Sequence, residues 1–192
     1  MEICALVLAG GKSTRMNGNN KAFLRYKEST FIDNILETLK EFDKIYISVD
    51  NKEKYLNLGY ELIEDEYKEI GPIGGIYSAL KIIKEDYVFI TACDMPKVSK
   101  ELINILKCNL RKSDRYVIFK DENERLYPLG GIYSKECLPF VEEMIYSKNY
   151  KLTNLVKKLN GKIISLNDTD IDKEALDNIN NLKEYSLLTM GK

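Results

Sequence analysis

The sequence predicts an α/β fold, a mainly parallel sheet with helices on both faces, in a single domain over residues 1–192. Two observations predict it. Short apolar, β-branched runs alternate with amphipathic helical stripes along most of the chain, and strands joined through helices return in parallel with the helices packed on the sheet. In addition, 192 residues with 44% hydrophobic content are enough to bury one substantial core without a second domain.

Taken in order, Ile3 to Leu8 is apolar throughout and reads as a buried first strand, ending on Ala9-Gly10-Gly11. Thr30 caps a helix whose stripe is Phe31, Ile32, Ile35, Leu36, Leu39 and Phe42. Lys44 to Val49 is the second strand, Asn51 to about Leu58 a short helix, and Tyr60 to Ile63 a third strand followed by Glu64-Asp65-Glu66. Pro72 sits where a first-turn proline is tolerated and opens a helix through Ile76, Leu80 and Ile83. Tyr87 to Thr91 is a strand, and Ala92-Cys93-Asp94-Met95-Pro96 is its loop. Ser99 caps a helix with Leu102, Ile103, Leu106 and Leu110 on one face, and Tyr116 to Phe119 is again a strand. After a charged turn, Asp121 to Arg125, the stretch Tyr127 to Tyr133 reads as an irregular strand interrupted by Pro128, Gly130 and Gly131. Helices are expected over Ser134 to Ser147 and Leu152 to Leu159, then a strand from Lys162 to Leu166 and a last helix from about Asn181 to Leu188.

In such a sheet, ligands bind beyond the carboxyl ends of the strands. Those positions hold Leu8 to Gly11, Ser48 to Asp50, Glu64-Asp65, Cys93-Asp94 and Gly130-Gly131. The glycine pair lets the backbone approach a ligand closely and turns successive N–H groups toward an anion, and Lys12, Arg15 and Lys21 gather positive charge beside it. The stretch reads as a phosphate cradle, the alternative being an ordinary turn with solvated basic side chains. It is not a P-loop, because Leu6 stands where that motif needs its first glycine, nor a G-x-G-x-x-G fingerprint, because Gly10 and Gly11 are adjacent. Asp94 follows an apolar strand and precedes Pro96, so it is a carboxylate fixed at a strand tip, suited to hold Mg2+ against nucleotide phosphates or else to serve as a loop aspartate. Asp65 ends another strand, where a solvated acidic loop is the competing reading.

Composition removes other chemistries. Lysine and arginine number 29 against 30 acidic residues, so nothing suggests a nucleic-acid surface. No apolar run is long enough to span a membrane and no signal-peptide pattern opens the chain, which makes a cytoplasmic location the expectation. Cys4, Cys93, Cys108 and Cys137 form no C-x-x-C pair and read as free buried thiols. Histidine is absent, which excludes Ser-His-Asp and Cys-His catalysis and histidine-ligated metals.

The stretch Leu8-Ala9-Gly10-Gly11-Lys12-Ser13-Thr14-Arg15-Met16, closing on Lys21, resembles the form L-A-G-G-x-S-x-R-M-(x)4-K of the molybdenum cofactor guanylyltransferases. Cys93-Asp94-Met95-Pro96 is similar to their C-D-x-P segment, Asp65 to their I-x-D position, and Gly71-Pro72-Ile73-Gly74-Gly75 to their G-P-x-x-G segment. The resemblance implies a Rossmann-like fold of the nucleotide-diphospho-sugar transferase type, with Mg2+ on Asp94. It implies nucleotide contacts at Leu8, Ala9, Gly10, Gly11, Lys12, Ser13, Lys21, Ser48, Asp65, Gly74 and Asp94, with Arg15, Lys21 and Asp94 as the catalytic group. GTP and molybdopterin are the implied substrates, with transient contact to proteins that deliver or receive the cofactor. Asn178 and Asn180 are similar to the asparagines of an N-x-N-T-P segment on the pterin side, although Asn181-Leu182 replaces Thr-Pro. Asn17 stands in place of the family's glycine, Asn20 in place of an acidic residue, and Ser48 where some members have asparagine.

The implied reaction is attack of a molybdopterin phosphate on the α-phosphorus of GTP with loss of pyrophosphate, which needs charge neutralisation more than a strong base. Three alternatives stay open. A cytidylyltransferase resembles L-A-A-G and D-Q-P, a sugar-1-phosphate nucleotidyltransferase commonly carries G-x-G-T-R-M, and a non-catalytic nucleotide-binding protein would keep the cradle without turnover.

Overall fold

The computed structural model describes residues 1–10 and 20–190. Along the chain the elements are β1 (Ile3–Leu8), β2 (Arg25–Tyr26), β3 (Ser29–Thr30), α1 (Phe31–Thr38), β4 (Ile45–Val49), β5 (Glu61–Glu64), α2 (Pro72–Ile82) and β6 (Tyr87–Ala92). There follow α3 (Lys100–Asn109), β7 (Tyr116–Lys120), β8 (Leu126–Ser134), α4 (Leu138–Tyr146), α5 (Leu152–Lys158), β9 (Lys162–Ser165) and α6 (Leu182–Met190). Seven of the strands form one sheet in the order β5-β4-β1-β6-β8-β7-β9, and β2 pairs with β3 as a separate hairpin.

The pairs β5·β4, β4·β1, β1·β6 and β7·β9 are parallel, while β8 runs against both β6 and β7. The reversal at β8 has a local cause. The chain leaves β7 through the turn 121–125, where Asp121 Oδ1 accepts from the N–H groups of Asn123 and Arg125, and so short a connection can only join antiparallel neighbours. Pro128 and the glycines, which make this stretch read as irregular, are absorbed by a register shift between Val117 and Phe119 on β7, and β8 runs unbroken through Ser134. The helix expected from Ser134 therefore begins only at Leu138, after one 3-10 turn.

Helices cover both faces, as the pleat shows. Gly75 of α2 lies against Leu8, whose side chain points to one face of the sheet. Phe89 pairs in register with Ala5, which points the other way, and Phe89 stacks on Phe42 beyond α1 at 5.9 Å. Between these layers Cys4, Ala5, Leu6 and Val7 of β1 are wholly buried. A Leu6→Ala cavity in such a place costs about 2–5 kcal/mol.

Caps act where the sequence puts them. Thr30 and Asp33 form a reciprocal capping box on α1, Pro72 opens α2, and Ser99 Oγ accepts from Leu102 N on α3. The short helix expected over Asn51 to Leu58 is present as the 3-10 segment Lys52–Leu58 capped by Asn51. The stripe through Phe42 finishes as a 3-10 turn after Thr38, and the β2–β3 hairpin leaves no signal in the sequence, since two-residue strands carry no period. Cys4, Cys93 and Cys137 are free and buried, whereas Cys108 is free but exposed. Among the described residues no helix is long and apolar enough to cross a membrane.

Candidate functional site

Because β1, β4, β5 and β6 are parallel neighbours, their carboxyl ends share one edge of the sheet. A cleft of about 840 Å³ opens there, and it brings together Leu8, Ala9, Gly10, Lys21, Ser48, Asp65, Asp94, Asn178 and Asn180. Gly11, Lys12, Ser13 and Arg15 lie outside the described residues. Gly74 is placed differently from expectation: a Cβ there would meet the Tyr67 carbonyl oxygen at 2.3 Å, and it is Gly75, with Gly71 and Pro72, that lines the cleft.

Asp94 stands two residues beyond the end of β6, after Cys93. The strand end is locked by the Cys93 N–H donating to the Leu8 carbonyl at 3.0 Å, and the chain turns at once as the Met95 N–H donates to Ala92. Lys21 Nζ donates to Asp94 Oδ2 at 2.9 Å, and Asn178 Nδ2 donates to Oδ1 at the same distance. The Asp94 carbonyl in turn accepts from Ile179 N–H at 2.8 Å. Both partners reach Asp94 from distant parts of the chain, the end of the first loop and the segment before α6. Sequence reasoning missed the Asn178 contact. The asparagine donates to the aspartate while still lining both clefts. Lys21 and Asp94 retain only 18% and 14% of their side-chain exposure, so the pair is screened from bulk water yet open to the cleft.

Asp65 is built otherwise. Its N–H donates to the Val49 carbonyl, which seats it between the ends of β4 and β5, and Ser48 Oγ donates to Asp65 Oδ1 at 2.6 Å. Burial pushes the Asp65 carboxyl above the ordinary carboxylate range, the Ser48 hydrogen bond pulls it back, and the nearby Asp50 charge raises it further. Two glycines make the arrangement possible. A Cβ on Gly75 would fall 2.2 Å from Ser48 Oγ, and one on Gly10 would fall 3.0 Å from both Asp65 Oδ2 and Asp50 N. Larger residues would push α2 or the first loop away from the paired side chains.

The Gly10 amide corrects one expectation. Its N–H donates to the Ser48 carbonyl at 3.1 Å, alongside Ala9 N–H at 2.8 Å, so it extends the sheet edge instead of facing an anion. Tyr55 is a second residue that sequence reasoning overlooked: it is 1% exposed, and its hydroxyl reaches both Ala9 and Asn20 beside the cleft.

The chemistry of the donors suits Mg2+. Among the described residues no group of three or more His, Cys, Asp or Glu side chains could form an all-protein cage. Mg2+ does not need one, because it is commonly held by one or two carboxylates with phosphate oxygens and water completing the shell, and Asp94 supplies such a carboxylate. A second cleft of about 860 Å³ shares Asn178 and Asn180 with the first and carries Lys27, Lys97 and Arg125 together with Glu174, Asp177 and Glu184, of which Glu174 is paired with Lys97.

A family model described as a MobA-like NTP transferase domain matches residues 5–163. A probable molybdenum cofactor guanylyltransferase from Clostridium perfringens (strain SM101 / Type A) is 41% identical over 160 residues, 83% of this chain and 80% of that protein. One of the same description from Aquifex aeolicus (strain VF5) is 32% identical over 186 residues, 96% of this chain and 84% of that protein. Among solved structures, molybdopterin-guanine dinucleotide biosynthesis protein A from Archaeoglobus fulgidus matches with a TM-score of 0.80 over 97% of each chain, a likeness of fold at 23% identity.

Proposed function

The chain belongs to the MobA-like NTP transferase family, and from that premise we propose that it transfers GMP from GTP to the terminal phosphate of molybdopterin, releasing pyrophosphate. The observation that carries the reading is the Lys21–Asp94 pair inside the strand-end cleft, in a chain whose relatives are described as probable molybdenum cofactor guanylyltransferases.

The phosphate oxygen of the acceptor forms a bond to the α-phosphorus, the bond between the α-phosphorus and the bridging oxygen breaks, and pyrophosphate carries away the electron pair. The nucleophile is already anionic, so no general base is required, in keeping with a chain that has no histidine. The work left to the protein is alignment and neutralisation. Mg2+ on Asp94 would supply charge neutralisation at the phosphates. Lys21, joined by Lys12 and Arg15 of the first loop, would bind phosphate oxygens. Asp65 would accept from the N1–H and amino group of guanine, the donors that only this base presents together. The acceptor would lie beside Asn178 and Asn180, where the second cleft adjoins the first and where Lys27 and Arg125 could meet its phosphate among the carboxylates of Glu174, Asp177 and Glu184. Proteins that deliver or receive the cofactor would meet the chain on that side.

The test is a panel of nucleoside triphosphates labelled at the α-phosphate, with molybdopterin as acceptor. GTP should turn over fastest. Faster turnover with CTP would overturn the guanylyl assignment, and tight nucleotide binding without pyrophosphate release would favour a non-catalytic protein.

A further inference from the structure

We propose that Tyr55 is a positioning residue for the nucleotide: its buried hydroxyl ties the end of β1 to the residue before Lys21 and thereby sets where the Lys21 ammonium stands in the cleft. The proposal rests on the reading that Lys21 meets the phosphates.

Tyr55 lies in the 3-10 segment Lys52–Leu58, outside the motifs that point to the site, and is 1% exposed. Its hydroxyl donates to the Ala9 carbonyl at 2.8 Å and accepts from Asn20 Nδ2 at 2.7 Å. A phenol has one proton, so once that proton goes to Ala9 the oxygen can only accept from Asn20. The Asn20 amide is oriented independently, because its Oδ1 accepts from Ala22 N–H at 3.0 Å and leaves the NH2 facing Tyr55. Each hydrogen bond in the chain Ala22, Asn20, Tyr55, Ala9 thus runs from a donor to an acceptor without conflict. Ala9 is held on its other side too, since its N–H donates to the Ser48 carbonyl.

The consequence falls on Lys21. It follows Asn20 directly and opens the 3-10 turn Lys21–Phe23, and the Phe23 ring lies against the Tyr55 ring with centroids 5.4 Å apart. Ring and hydroxyl therefore register the same turn against β1, and from that turn Lys21 Nζ reaches Asp94. A ring buried for packing alone needs no hydroxyl, and burying one costs free energy unless it is bonded. Here both of its bonds go to the two segments that flank the first loop.

Tyr55→Phe keeps the ring and removes only the tie. With saturating magnesium, GTP affinity measured by calorimetry should fall about tenfold, the order expected when buried polar groups lose a partner. CTP affinity should fall by the same factor, because the effect acts through phosphate contacts. Asn20→Ala should reproduce the loss, which covers the case in which Tyr55→Phe folds poorly. Combined with Lys21→Ala, Tyr55→Phe should add less than about twofold, as expected for residues acting through one contact. A lowered melting temperature with wild-type GTP affinity would overturn the proposal, as would losses that multiply in the double variant, or unchanged affinity in Lys21→Ala. A wild-type preference for CTP would instead sink the guanylyl reading, while the ratio of variant to wild type would still decide the role of Tyr55.

Discussion

The two carboxylates at the carboxyl edge of the sheet, Asp94 after β6 and Asp65 after β5, are held in opposite electrostatic ways. Asp94 has a cation on one oxygen and an amide on the other, from Lys21 and Asn178. Asp65 has a neutral hydroxyl, Ser48, on Oδ1 and Gly10 beside Oδ2, and burial raises its pKa. On the proposed function, Asp94 would exchange the Lys21 ammonium for a metal as the lysine turns to phosphate. Asp65 faces a hydroxyl in a drier niche, with the more distant Lys68 charge offsetting only part of the cost of burial, and a ligand that brings N–H donors would stabilise it further. The proposed function thus assigns one position on the sheet edge to the charged end of the nucleotide and the other to its base.

Asp94→Asn should break the first half of this contrast and give the largest effect. The amide keeps the shape but not the charge that attracts a hard cation. Turnover should drop by about 10²–10³, the scale of removing one preorganised electrostatic group. GTP should still bind, more weakly, and raising magnesium should restore part of the rate. Melting temperature should fall as well, because the variant removes the Asp94 charge from beside the Lys21 ammonium in a site where the two side chains are only 14% and 18% exposed, so the partial recovery of rate with magnesium is what identifies the metal role. Wild-type turnover in the variant at limiting magnesium would return Asp94 to the role of a loop aspartate.

Asp65→Asn comes next and separates function from stability. The folded-state pKa of Asp65 is raised, so the folded protein takes up this proton more readily than the unfolded chain, and ionising the group costs stability. That cost is absent below the ordinary carboxylate range and complete above the raised folded value. The variant should therefore melt at or above the wild-type temperature near neutral pH, and the advantage should vanish on acidification. GTP affinity should meanwhile fall about tenfold, with the preference over CTP reduced, as when a base loses a matched acceptor. Melting curves across pH and a GTP–CTP competition measure the two effects. A variant that loses stability at neutral pH and keeps its base preference would show that Asp65 is structural.

The sheet and these two carboxylates were legible because their signals are local. β1 and β6 are unbroken apolar runs, and Pro96 marks the turn that fixes Asp94. What was not legible depends on contacts between distant segments. Asn178 meeting Asp94 and Tyr55 meeting Ala9 leave no trace in spacing, and Tyr55 sits in a stretch that reads only as a short helix. The choice between Gly74 and Gly75 turns on which side of α2 faces Ser48, and a helix rich in small and apolar residues does not declare its face. The antiparallel run of β8 follows from a turn of five residues, while Pro128 and Gly130 disguise the strand itself.

Ser48→Ala should have the smallest effect and sharpens the contrast most. Ser48 is 1% exposed, and an alanine methyl fits the space that Gly75 leaves beside it, so the stability cost should stay near the ~1 kcal/mol of a lost hydrogen bond. Ser48 lowers the Asp65 pKa by stabilising the ionised form, so without it that pKa should rise further above the ordinary range. At neutral pH GTP affinity should weaken only about two- to fivefold, within one such hydrogen bond. As pH falls the loss should grow, because Asp65 in the variant takes up its proton at a higher pH and stops accepting from the base. The acidic limb of GTP binding should thus move to higher pH in Ser48→Ala and be missing in Asp65→Asn. An acidic limb that stays where the wild type has it would mean that Ser48 does not tune Asp65, and that the two carboxylates differ in position alone.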